Sequence, residues 1–117
     1  MPVQRDYILR LLEQAAAALR RLRELLGGGT TPPAEIVEEA RAAQAALFGN
    51  TWMLLQRVDV GTATSLVRDS RQLSMWAELL RAEAEATRAS GDEERALQLE
   101  TRAAGIAAAA AAYKINP

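Results

Sequence analysis

The chain has 117 residues, a length that suits one domain burying about two-thirds of its unfolded surface. Half the residues are hydrophobic, led by alanine, and only 4% are aromatic, so burial stabilises this composition less than a Leu/Phe core. The net charge of −1 gives no general attraction to nucleic acid or anionic lipid, and the absence of His and Cys excludes Ser-His-Asp triads, Cys-His pairs, disulfides and Cys/His zinc sites.

The first segment carries Ile8, Leu12, Ala15, Leu19, Leu22 and Leu26 at spacings of four, three, four, three and four. At roughly 100° per residue these side chains share one face, which predicts an amphipathic helix over 3–26. The spacing also suits a coiled-coil seam of little more than three heptads. Gly27, Gly28 and Gly29 end this helix and open a Gly/Pro linker over 27–33. Pro33 is tolerated at a helix start because an N–H there would have no partner. A second helix is expected over 33–48, with Ile36, Ala40, Ala43 and Leu47 turned inward.

Short helices are expected over 51–69, one from Trp52 to Val58 and one starting at Thr62 or Thr64. Asp69 and Gln72 have the spacing of a capping box and open a helix over 70–89. Its inner face is Leu73, Trp76, Ala77, Leu80, Ala84 and Thr87. Ser90, Gly91 and Asp92 then turn the chain into a last helix ending near Lys114. That helix carries a second ladder of Ala96, Leu99, Ala103, Ile106, Ala110 and Tyr113. No segment has the two-residue alternation of strands. The expected class is all-α, a compact bundle of five to six helices spanning 1–117 as a single domain, with a helical hairpin over 70–114.

The hairpin residues Leu80, Ala84, Gly91, Asp92, Ala96 and Ala103 fall at spacings that resemble a tetratricopeptide (TPR) unit. The chain departs from that pattern at Glu83, where the repeat has Leu, at Glu100, where it has an aromatic, and at Ala108, where it has Pro. One unit is visible, so the resemblance implies a TPR-like hairpin and not a stacked-repeat groove. The opening Asp6-Tyr7-Ile8-Leu9-Arg10 segment, with this hairpin, resembles an uncharacterised family of small bacterial all-helical proteins. That likeness implies fold and bacterial origin, and no chemistry. The dominance of Arg among the basic residues fits a GC-rich genome.

Gly27–Gly29 follows a helix and lacks the context of a phosphate-binding loop. Carboxylates are the remaining catalytic or metal-binding candidates: Glu35, Glu38 and Glu39 on one helix, Glu78, Glu83 and Glu85 on another. Without inward Glu-x-x-His motifs they read as solvated faces with Glu–Arg pairs, so no enzyme activity, metal or cofactor is expected. Arg20, Arg21 and Arg23 form a basic end to the first helix, interrupted by Glu24, and complement its macrodipole. No basic platform for nucleic acid accompanies them. Met1 leads into Arg5, Asp6 and Arg10 rather than a signal-peptide core, and the longest apolar run, 106–113, is too short to span a bilayer. The expected location is the cytoplasm, with no transmembrane segment.

Two apolar ladders and an Ala-rich core point to a non-enzymatic protein-interaction or structural module. A homo-oligomer, with an unknown protein partner as the variant, is expected through Ile8, Leu12, Leu19, Leu22, Leu26, Ile106 and Tyr113. The alanines of 107–112 would let a second chain approach closely. A small-molecule or lipid carrier with a cavity lined by Trp52 and Trp76 is one alternative reading. Head-to-tail pairing of the ladders into open filaments is the other.

Overall fold

The structure, a computed structural model, describes residues 2–115. The elements are α1 (Pro2–Gly28), α2 (Pro33–Phe48), α3 (Trp52–Leu55), α4 (Val60–Leu66), α5 (Ser70–Ala89) and α6 (Glu93–Ile115), with one 3-10 turn at Gly49–Thr51. Among the described residues there is no strand, and the chain is an all-α bundle.

Local chemistry sets the helix ends. α1 runs through Gly27 and Gly28, past the expected stop, and the chain leaves the helix at Gly29 with φ +69°. Glycine lowers helix propensity without forbidding the geometry, and termination comes where φ changes sign. Asp69 Oδ1 accepts from the backbone N–H of Arg71 at 2.9 Å and of Gln72 at 3.1 Å, capping α5. Instead of a reciprocal bond from Gln72, the Arg71 guanidinium donates to Asp69 Oδ2 at 2.9 Å. Asp92 caps α6 in the same way, accepting from Arg95 N–H at 3.0 Å.

The centre of the bundle is α5, which packs against α1, α2 and α6. That position explains why Leu79, Ala82, Glu83 and Ala86 are buried beside the expected inner face. One stripe serves a helix with one neighbour, whereas three neighbours cover most of the circumference. α6 lies along α5 after a three-residue turn, and α4 crosses α6 at Gly105, where an added Cβ would stand 3.0 Å from Val60 Cγ1.

Both ladders meet surfaces of their own chain. Ala15, Leu19 and Leu22 are buried against α2 and α5, while Ile8, Leu12 and Leu26 are half-buried. Ala96, Leu99, Ala103, Ile106 and Ala110 are buried along α5. Each departure from the TPR pattern has a local cause. Glu83 enters a buried polar network, Glu100 pairs with Arg88 across the hairpin, and α6 continues beyond Ala108 to Ile115.

Candidate functional site

Two hollows of about 460 Å³ lie on different sides of α5. The first is a polar cleft between α2, α3, α5 and α6, and its floor is Glu83, 3% exposed. Gln44 Nε2 donates to Glu83 Oε1 at 2.8 Å, and Arg41 Nε donates to Oε2 at 3.0 Å. Gln44 Oε1 in turn accepts from Trp76 Nε1 at 3.2 Å, and Thr87 Oγ1 donates to the Glu83 carbonyl at 2.7 Å. Among the described residues every buried side-chain nitrogen and oxygen has a partner. A buried carboxylate is tolerated only when paired and hydrogen-bonded in this manner.

Arg102 forms another wall. Its Nη1 donates to the Val58 carbonyl at 2.9 Å and its Nη2 to the Leu55 carbonyl at 2.6 Å. The four-residue α3 leaves carbonyls without helical partners, and the guanidinium takes up two in this region. It also sits 5.3 Å from the Trp76 ring centroid, a cation–π distance. Burial pushes Arg102 below its ordinary pKa; nearby Asp59 opposes that shift, and the like charge of Arg95 adds to it. Trp52 lines the cleft, whereas Trp76 is fully buried behind it, with Phe48 and Trp52 against its ring at 4.9 and 6.1 Å between centroids. The expected pair of cavity-lining tryptophans is therefore one lining residue and one core residue.

The second hollow is apolar. Leu9, Leu12 and Ala16 of α1 face Met75 of α5, with Glu13, Arg71 and Glu78 at the rim. On the other flank of α1, Tyr7, Ile8 and Leu11 border a smaller hollow of about 390 Å³ with Leu66. Tyr7 is 55%, Leu9 39% and Leu66 52% exposed.

The seven expected interface residues are not brought together. Leu19, Leu22 and Ile106 are buried in the chain's own core, so they present no surface to a second copy. Tyr113 is half-buried and donates its hydroxyl to the Thr64 carbonyl at 3.2 Å, which ties the end of α6 to α4. Ile8, Leu12 and Leu26 remain part-accessible. Of the carboxylates read as solvated, Glu39 pairs with Arg21 and Glu78 with Arg23 and Arg81, but Glu83 is buried. Its position continues the inner stripe as Leu73, Trp76, Leu80, Glu83 and Thr87, a signal available in the spacing. Gln44 sits likewise four residues after Ala40. Among the described residues no cluster of three acidic side chains is placed to hold a metal, and no helix is long and apolar enough to cross a membrane. Comparison with protein-family models, with curated proteins and with solved structures finds no match to this chain.

Proposed function

We propose that the protein is a non-enzymatic, cytoplasmic interaction module that pairs with a second copy of itself through α1. One observation carries this reading. Tyr7, Ile8, Leu9, Leu11 and Leu12 span an arc of roughly 200° around the helix, wider than the chain's own helices cover, and Tyr7 and Leu9 remain exposed. A helix apolar on so much of its circumference is stable in water when another surface covers the remainder.

Charge favours a second copy of the chain as that surface. Glu13 lines the groove and the exposed Arg20 follows two turns further along α1, and neither takes part in an ion pair among the described residues. Ala16 and Ala17 fall between them and permit a close helix crossing. An antiparallel second α1 would set Glu13 opposite Arg20 twice, as a two-fold interface requires, and lay the apolar arc of each copy along the last turns of the other's α1, where Leu25 and Leu26 are half-buried. The resemblance of the chain ends to the bacterial helical family and the TPR-like description of the α5–α6 hairpin belong to the same proposal.

Charge reversal tests it. Glu13→Arg and Arg20→Glu, each alone, are expected to weaken association, and the double variant to restore it, read by sedimentation over protein concentration. Equal association of all four proteins would remove the antiparallel α1 pairing.

A further inference from the structure

We propose that the polar cleft beside α5 binds a small organic anion, a carboxylate or phosphate joined to a flat apolar body. Three guanidinium groups, Arg41, Arg95 and Arg102, line the cleft with a single carboxylate, Glu83. Glu83 is already engaged by Arg41 and Gln44. Two positive charges are left without a carboxylate partner among the described residues. Arg95 makes one side-chain hydrogen bond, to Gln98 Oε1 at 3.3 Å, and Arg102 donates to two neutral carbonyls. Asp59 influences Arg102 from a distance without contacting it, and Asp92 accepts the Arg95 backbone N–H, not its guanidinium.

Arg102 is also held in place. Two carbonyls and the Trp76 ring fix its guanidinium, and three of its five N–H groups take no part in those bonds. A cation fixed and partly desolvated in this way loses little freedom when an anion arrives, and its charge-assisted bonds are strong. The rest of the lining is Gln44 and Gln56 with the part-exposed Trp52, over the buried Leu80 and Leu99, so Trp52 is the aromatic face the cleft offers. A hollow of about 460 Å³ falls in the range of small-ligand sites. The chemistry thus asks for negative charge at Arg95 and Arg102 and a planar group against Trp52. This assignment does not depend on self-association, and a Leu9→Glu substitution on the exposed face of α1 is expected to leave binding unchanged.

The test is calorimetry with Trp fluorescence, titrating phenyl phosphate, benzoate, inorganic phosphate and benzyl alcohol. Phenyl phosphate and benzoate are expected to saturate one site, and their ranking distinguishes phosphate from carboxylate as the preferred anion. Benzyl alcohol, which lacks the charge, and inorganic phosphate, which lacks the ring, are each expected to bind about tenfold more weakly or worse. Arg95→Gln, at an exposed position, is expected to weaken phenyl phosphate about tenfold with the melting temperature unchanged, while Arg10→Gln leaves binding intact. Arg102→Gln is expected to abolish binding. If it fails to fold, Arg95→Gln still decides. No saturation below about 10 mM, benzyl alcohol binding as well as benzoate, or an unchanged affinity in Arg95→Gln overturns the assignment.

Discussion

The two hollows flanking α5 enclose the same volume, about 460 Å³, with opposite chemistry. In the groove beside α1, the residues in excess of the buried stripe are leucines, and their exposed edges have no polar work to do. In the cleft towards α2 and α6, the helices meet through alanines such as Ala40, Ala84 and Ala96. The volume such small side chains do not fill is taken by Glu83, Gln44, Arg41 and Arg102, which satisfy one another and the α3 region. An Ala-rich core therefore leaves two kinds of surface. One is apolar and open beside α1; the other is polar, with its buried carboxylate hydrogen-bonded within the chain.

Substitutions on either side should break or sharpen that contrast. The largest effect is expected from Leu19→Glu, which puts a charge where α1 is sealed against the bundle and should cost about 4 kcal/mol or unfold the chain. Calorimetric melting reads it. Gln44→Leu comes next. It leaves Trp76 Nε1 and Glu83 Oε1 without partners, at a cost of about 3 kcal/mol by denaturant titration. If it were neutral, the polar cleft would be no tighter than the apolar groove.

Smaller effects belong to the groove side. Asp69→Ala removes the α5 cap and releases Arg71 at the groove rim, and should cost about 1 kcal/mol. Burial alone would raise the Asp69 pKa, but hydrogen bonds from the Arg71 side chain and the Gln72 and Arg71 N–H groups, with the Arg71 charge, hold it below its ordinary value. A lowered folded pKa gives stability that is complete above the unfolded value of about 4 and is lost as pH falls through the folded one. The stability difference between the wild type and Asp69→Asn, which keeps a capping oxygen, should therefore shrink as the solution is acidified below about pH 4. The smallest change in fold stability is expected at Leu9→Gln, under about 0.5 kcal/mol, because that side chain is already part-exposed.

Much of the fold was legible because it rests on periodicity and caps. Asp69 and Asp92 begin the two long C-terminal helices, and the Ala96–Ala110 ladder has the spacing of the α6 face that lies on α5. Periodicity names a face that must be covered, not the surface that covers it. Leu19, Leu22 and Ile106 thus read equally as core or interface, and the structure places them in the core. Glu83 stood on an inner stripe, but its charge suggested a solvated face; its buried partner Gln44 lies one turn after Ala40 and outside the apolar residues that marked the inner face of α2. Arg102 had no such signal. Its role depends on carbonyls of the α3–α4 segment, where short helices leave little periodicity to read.

The apolar arc of α1 and its cover by a second copy are tested most directly by light-scattering mass over a hundredfold range of concentration, for the wild type and Leu9→Glu. The expected result is a wild-type mass that rises to a dimer plateau and a variant that stays monomeric with the same helical content. A wild-type chain that stays monomeric at every concentration, or a Leu9→Glu chain that dimerises equally well, contradicts it.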